Sequence, residues 1–408
     1  MKTAILFLHW GNAQECLHLN LAAIQARLWN PHAKIYVLAD AAARESLTLP
    51  GVEVVPLEDY HTAAESFRGH YVHFSVNRPA YTRFNIERWF IMRDFVRQHG
   101  LQRILHLDSD VLLYDDVEAA GQQFEECDLT LSWPSTSQVP NSSGHSSYFN
   151  LRALEEFSAF VEAAYADPAT IEAFENRVAG RRANGGVYNI GDMYHLACFS
   201  LTTQLKIGYG QQGHPLFDGN INYDFETKSR LADGHRPIEY RKGQPHARYA
   251  SQEKVVRYAT LHFQGRAKAW MPENLQAPEG TQLPCDLLFP LMARLSRTTN
   301  HSLGESKSAK LDFQKERDKA LATAASLQSE CESLKERRAE DARNLKVIRQ
   351  AMAQAEKKVE TAARSQWVTR GTQLGLTKAG THLQSAIDHL QVPQQKQNPD
   401  SPPKSTRK

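Results

Sequence analysis

The sequence predicts an α/β fold, with a mostly parallel central sheet flanked by helices and a helical tail at the C-terminus. Three observations predict it. Strand-like and helix-like segments alternate along the first part of the chain. The strand-like segments are continuous apolar runs rather than alternating ones, the pattern of strands buried on both faces. Acidic residues stand at the carboxyl ends of those runs, where such sheets bind ligands.

Ala4 to Leu8 reads as the first buried strand. The opening residues also resemble a signal peptide for a short distance, but the apolar run is interrupted at His9, so a strand fits better. Cys16 to Trp29 carries Leu17, Leu21, Ile24 and Leu28 at helical spacing and stops before Pro31. Lys34 to Ala39 is a second strand, ended by Asp40, and Val52 to Pro56 a shorter third. Tyr81 to Val96 reads as a helix that feeds a strand over Ile104–Leu107 through Gly100. Asp128 to Trp133 predicts another strand, 134–149 a polar loop, and 151–175 a helical block. A helix follows Asp192. From 205 to 275 no period stands out, and the segment reads as long irregular structure of the kind that carries function.

Net charge is +2, but it is unevenly spread. Residues 301–408 hold 20 Lys and Arg against 13 Asp and Glu, leaving 28 against 33 in residues 1–300. The acidic body argues against nucleic acid as a partner, while the basic tail suits an anionic surface. The five cysteines show no close pairing, which argues against a disulfide framework or a zinc knuckle and favours a reducing compartment.

The strongest chemical signal is Leu107-Asp108-Ser109-Asp110. In an extended segment, side chains at i and i+2 share a face, so Asp108 and Asp110 would converge on one point. Two buried carboxylates need a positive partner, and a hard divalent ion such as Mg²⁺ or Mn²⁺ supplies one and bridges to phosphate. His262, after the apolar residues Tyr258, Ala259 and Leu261, would add a nitrogen ligand acceptable to Mn²⁺. Gly265 allows close backbone approach, and Lys268 would neutralise a departing diphosphate. His9, Trp10, Gly11 and Asn12 form a turn after the first strand suited to a base or ribose, and Asp40 suits ribose hydroxyls; an ordinary turn and a helix cap are the competing readings. Arg83 stands four residues before Glu87 and reads as a surface ion pair. Asn184, Gly185 and Gly186 offer an amide and exposed backbone to sugar hydroxyls. Asp192 is the candidate reaction-centre carboxylate, with helix capping as its alternative. His145, Asp218 and Asn220 are assigned to the acceptor side of the cleft.

These stretches together resemble nucleotide-sugar glycosyltransferases of the GT-A type. Asp108-Ser109-Asp110 resembles their Asp-x-Asp motif, and His262-Phe263-Gln264-Gly265-Arg266-Ala267-Lys268 resembles the late His-x-x-Gly-x-x-Lys element of glycogenin-like members. Trp270 stands after Ala269 where many relatives have proline. The resemblance covers about residues 1–275. It implies a Rossmann-like sheet, a Mn²⁺ or Mg²⁺ cofactor held by Asp108, Asp110 and His262, Ser109 and a basic residue, Arg83, near the donor, Lys268 on the diphosphate, a UDP- or GDP-sugar donor, and a hydroxyl acceptor such as a glycan. The alternatives are nucleotidyl or other phosphoryl transfer, for which no G-x-x-x-x-G-K-[ST] loop occurs, or a nucleotide-sugar-binding assembly protein.

The expected organisation is a transferase domain over 1–297, a linker over 298–319, a coiled-coil helix over 320–365 and a disordered polar tail over 366–408. The helix rests on a heptad register with Ala324, Cys331, Arg338, Leu345, Met352 and Val359 at one seam position and Leu327, Leu334, Asp341, Ile348 and Ala355 at the other. Arg338 and Asp341 form a polar layer, and a lone charge-rich helix is the competing reading. The register predicts self-association or a partner helix. The expected location is cytoplasmic, with the basic end available to a membrane surface.

Overall fold

The computed structural model describes residues 2–11, 16–47, 49–136, 140–224, 229–230, 234–248, 255–284, 288 and 291, with scattered helical positions between 333 and 358. The chain divides into two units, Met1–Leu327 and Gln328–Lys408. Most of the predicted heptad positions, Asn12 and the polar tail over 366–408 lie outside the described residues. No described helix is long and apolar enough to cross a membrane.

The first unit has an α/β architecture. Strand β1 (Ala4–His9) is followed by helix α1 (Cys16–Trp29), β2 (Ile35–Ala39), the short α2 (Ala41–Arg44) and β3 (Glu53–Pro56). Ile5 and Phe7 of β1 enter one core, while Ala4, Leu6 and Leu8 enter the other. Burial on both faces is why the strand reads as one apolar run. Helices α3 (Thr62–Arg68) and α4 (Pro79–Gln98) lead to β4 (Arg103–Leu107). Pro79 opens α4 at a position where a missing N–H costs nothing. Trp89 of α4 is fully buried, its ring 5.1 Å from Phe149 and edge-on to Phe157 at 5.5 Å. Each such side chain contributes on the order of 1.5–3 kcal/mol by burial.

The chain continues through β5 (Val111–Leu113), α5 (Val117–Gly121), β6 (Leu129–Leu131), β7 (Ser146–Asn150), α6 (Leu151–Ala166), α7 (Pro168–Ala183), α8 (Asp192–Thr202) and β8 (Ile207–Tyr209). The main sheet has seven strands in the order β3-β2-β1-β4-β7-β6-β8. Only β7 runs against its neighbours; the pairs β1/β2, β2/β3, β1/β4 and β6/β8 are parallel. Beyond it lie β9 (Leu216–Phe217), β10 (Tyr223–Asp224), β11 (Ser229–Arg230), β12 (Glu239–Arg241), β13 (Gln244–Arg248) and β14 (Val255–His262). Strands β12, β13, β14 and β5 form a second sheet, with β9 beside β14.

The structure corrects three expectations. The loop expected over 134–149 ends in β7, which lies in the middle of the main sheet. Its Ser-Ser-Tyr-Phe-Asn sequence hides that position, because polar side chains stand inside the sheet: Ser146 Oγ pairs with Thr260 at 3.2 Å, while Ser147 Oγ is buried with no hydrogen-bond partner among the described residues. The helical block extends to residue 183 as two helices, broken where Asp167 caps α7 and Pro168 opens it. The irregular segment over 205–275 contains the eight-residue β14, whose apolar run is interrupted by Arg257, paired to Asp115 at 2.7 Å.

Candidate functional site

The turn Asp108-Ser109-Asp110 is where the chain leaves β4 in one sheet and enters β5 in the other. Val111 N–H donates to Asp108 O at 3.1 Å, closing the turn, and Asp108 N–H donates to His145 O at 2.8 Å. The segment is therefore not extended. Its two carboxylates point to different partners, which corrects the shared-face expectation. Ser109 is half-buried in the same turn.

Asp110 faces the late element. Antiparallel pairing of β5 with β14 sets His262 opposite Val111, and Phe263 N–H donates to Asp110 O at 2.8 Å. Asp110 Oδ1 lies 3.5 Å from His262 Nε2, and Oδ2 lies 3.3 Å from Lys268 Nζ. Burial would raise the Asp110 pKa, but His262 and Lys268 outweigh it and hold the carboxyl below its usual range. Burial likewise disfavours the His262 cation, yet Asp110 beside it raises the imidazole to about 9. Gly265, at φ +63°, opens the 3₁₀ segment that carries Lys268.

Asp108 faces the helices. Arg88 of α4 donates from Nη1 to Asp108 Oδ1 at 2.7 Å and from Nη2 to Asp192 Oδ2 at 2.6 Å. His106 Nε2 adds a contact to Asp108 at 3.2 Å. Burial opposes ionisation of Asp108, but Arg88 and then His106 hold its pKa well below the usual range. Asp192 is the first residue of α8, and Gly191 is the N-cap. Asp192 spends its carboxylate on Arg88. Arg88 is thus a site residue that the sequence reading missed. It sits in the mostly apolar run Ile86–Met92 of α4, and that interruption was its only signal.

His262 and Asp110 suit a divalent ion. A carbonyl cannot donate, so His262 Nδ1 carries a proton toward Gly219 O at 2.7 Å and leaves Nε2 toward Asp110. That is the usual orientation of a metal-ligating imidazole. The third expected ligand, Asp108, is engaged through Oδ1 by Arg88. Among the described residues, no group of three or more His, Cys, Asp or Glu side chains is disposed to hold a metal.

At the carboxyl end of β1, His9 is buried, while Trp10 is 41% exposed and stacks on Phe84 at 5.2 Å. Gly11 N–H donates to Asp40 Oδ2 at 3.2 Å, and Asp40 Oδ1 accepts from Ala43 N–H at 2.9 Å. Asp40 is therefore the cap of α2 and ties down the Gly11 turn. Arg83 lies 3.1 Å from the buried Glu87, which Arg68 also engages at 2.8 Å, so it takes the ion-pair role. His18 of α1 joins this region unannounced by any motif. Burial, then Lys268 and His9, pull its pKa down to about 4.

Asn184, Gly185 and Gly186 are the stop of α7. Gly186 N–H donates to Arg181 O at 2.8 Å and Gly185 N–H to Arg182 O at 3.0 Å, the paired bonds of a Schellman ending. Asn184 Nδ2 donates to Gly180 O at 2.9 Å. Gly185 has φ +64°, and the place a methyl group would take there is open space, so only backbone strain opposes a side chain. Gly185→Ala is expected to lower stability by about 1–2 kcal/mol in urea unfolding and to leave nucleotide affinity unchanged. A weakened affinity would support the sugar-binding role.

His145 and Asp218 are corrected from the acceptor side to the interior. His145 is 2% exposed and stacks on His262 at 4.0 Å, and burial and then His262 pull its pKa down to about 3. The Asp218 side chain is fully buried against Arg236. Asn220 remains partly accessible and donates to Gln264 Oε1 at 2.7 Å.

No protein-family profile matches the sequence, and no curated protein matches it. Among solved structures, the chain is similar to mouse xyloside xylosyltransferase 1 in its apo form, at 10% identity over 51% of this chain and 85% of that one, with a TM-score of 0.37. It is similar to an active-site mutant of LgtC at 16% identity over 71% of this chain and 95% of that one, with a TM-score of 0.40. It is also similar to the galactosyltransferase LgtC in complex with donor and acceptor sugar analogues, at 14% identity over 72% and 96%, with a TM-score of 0.37.

Proposed function

We propose that the chain is a GT-A-type glycosyltransferase that moves a sugar from a nucleoside diphosphate sugar to a hydroxyl acceptor. The observation that carries this reading is the meeting of Asp110 with His262 Nε2 and Lys268 Nζ at the turn after β4. Beside it, Arg88 joins Asp108 to Asp192. This places acidic, imidazole and cationic groups beyond the carboxyl end of a parallel strand, where open α/β sheets bind ligands.

In this reading Asp110 and His262 would hold a Mn²⁺ or Mg²⁺ ion. The ion supplies positive charge to the departing diphosphate. Lys268 adds a second cation to that leaving group from a half-exposed position. His9, Trp10 and Gly11 border the nucleoside, and Trp10 offers an exposed aromatic face to a base. Arg88 and Asp192 stand where a donor sugar hydroxyl would meet a donor and an acceptor of hydrogen bonds. The acceptor is a glycan or another hydroxyl compound.

Calorimetry with UDP and GDP, each with Mn²⁺ and with chelator, tests the reading. Binding of one nucleotide is expected to strengthen at least about tenfold with Mn²⁺, a change of about 1.4 kcal/mol. Equal affinity in chelator would reject the metal assignment. Failure of both nucleotides to bind would reject the proposed donor class.

A further inference from the structure

We infer that Asp218 and Arg236 are positioning residues for His262, fixing both its backbone and its ring so that only Nε2 faces Asp110. The inference rests on the donor-site reading above and deepens it.

His262 is held from three directions. Its backbone N–H donates to Asp218 Oδ2 at 3.1 Å, and its ring Nδ1–H donates to the neighbouring Gly219 O at 2.7 Å. One two-residue turn therefore fixes the end of β14 and the ring that it carries. Behind the ring lies the His145 imidazole, 4.0 Å away and tilted by 22°. His145 Nε2–H donates to Asp218 O at 2.9 Å, and its Nδ1 accepts from the Ser143 hydroxyl at 2.8 Å. Its hydrogen bonds set its tautomer and pin the same turn a second time.

Arg236 fixes Asp218. Its Nη2 donates to Asp218 Oδ1, and its Nη1 donates to Tyr258 Oη at 3.1 Å. The guanidinium also lies over the Tyr258 ring, 5.0 Å from its centre. Tyr258 is on β14, four residues before His262, so Arg236 links the turn to the strand that bears the imidazole. Backbone bonds close the frame, from Arg236 N–H to Ile221 O at 3.0 Å and from Ile221 N–H to His262 O at 2.9 Å. A buried ion pair is a weak source of stability, because desolvation offsets its attraction. Contacts of the pair run to His262, to the turn that binds it and the adjoining Asn220, and to its own strand. That distribution suits control of orientation, and outer partners of a ligating histidine commonly change metal affinity 10–100-fold.

The test uses the full chain and titrates Mn²⁺ by electron paramagnetic resonance with saturating UDP or GDP, whichever binds. Asp218→Asn and Arg236→Met are expected to weaken Mn²⁺ binding about 10–100-fold. Nucleotide affinity in chelator is expected to change less than about twofold, because neither residue reaches the diphosphate side. Arg236→Lys keeps the charge but not the fork, and is expected to recover part of the loss. Circular dichroism checks folding. If the first two variants do not fold, Arg236→Lys and Tyr258→Phe decide, each expected to weaken Mn²⁺ about threefold through partial loss of the bracket. Folded variants with wild-type Mn²⁺ affinity would overturn the inference alone. A wild-type protein that binds nucleotide but no Mn²⁺ would overturn the metal assignment and the inference with it.

Discussion

Asp110→Asn is expected to weaken Mn²⁺-supported nucleoside diphosphate binding by at least about 100-fold, or about 2.7 kcal/mol, leaving a residual affinity that chelator does not change. Asparagine preserves the shape and removes the charge. Asp110 contacts both His262 and Lys268, so the loss removes one proposed ligand and a counter-charge of two cations. Asp108→Asn is the contrasting variant. Its carboxylate is engaged by Arg88, so its effect on metal affinity is expected to stay within about tenfold. Equal losses in the two variants would show that Arg88 releases Asp108 to the ion.

The same pair gives a pH dependence. His262 stands at about 9 in the ligand-free protein and must lose its proton from Nε2 to ligate. Mn²⁺ affinity should therefore rise with pH until about 9, whereas an unperturbed histidine would level off near its usual 6.5 or so. Folding stability has the opposite slope at that end. A raised histidine pKa contributes stability that is full below the unfolded value and is lost as pH rises through about 9. The depressed Asp110 pKa contributes above the unfolded carboxylate range and is lost in acid. Urea unfolding of ligand-free wild type and Asp110→Asn across this range should show the gap closing in acid and narrowing as pH rises through about 9, with the Lys268 contact keeping the remainder. A gap that does not narrow through about 9 would contradict the His262–Asp110 ion pair.

Much of the sheet was legible because its strands are buried on both faces. Ile5 and Phe7 on one side and Leu6 and Leu8 on the other leave an unbroken apolar run that nothing but a core strand explains. Strand β7 was not legible, because its two serines are polar residues in a buried position, and only the Ser146 hydroxyl has a partner among the described residues, Thr260, far away in sequence. In the candidate site, residue types around Asp110, His262 and Lys268 were readable as a constellation. Their orientation was not. The i, i+2 rule assumes an extended backbone, and Asp108–Asp110 is a turn between two sheets. Asn184-Gly185-Gly186 has a structural role that its sequence did not single out, since glycines that suggest ligand approach equally well end a helix. Arg88 and Arg236 carry no local motif at all. Their roles come from carboxylates 104 and 18 residues away in the chain.

Arg88→Met is expected to produce a large loss of stability, about 3–5 kcal/mol at neutral pH, because it strands two carboxylates in a nearly closed site. The Arg88 side chain is 11% exposed and those of Asp108 and Asp192 are 28% and 9%. Arg88 Nε is buried without a hydrogen-bond partner among the described residues, so its pairing is concentrated in the two Nη contacts. Lysine cannot span both carboxylates with a planar fork, so Arg88→Lys should recover only part of the loss. The pH dependence separates this mechanism from simple loss of packing over Trp89. In the wild type the depressed Asp108 pKa contributes stability above the unfolded carboxylate range, near 4, and that contribution is lost only in stronger acid. Without Arg88, burial dominates and raises the folded pKa of Asp108, so the sign reverses and the penalty is relieved as pH falls. The difference between variant and wild type in urea unfolding should therefore shrink from pH 7.5 to pH 5. A difference that is small, or the same at both values, would show that Arg88 is not the counter-charge of this cluster. Asp192 would then be an ordinary first-turn residue of α8, and the proposed sugar-facing side of the site would lose its basis.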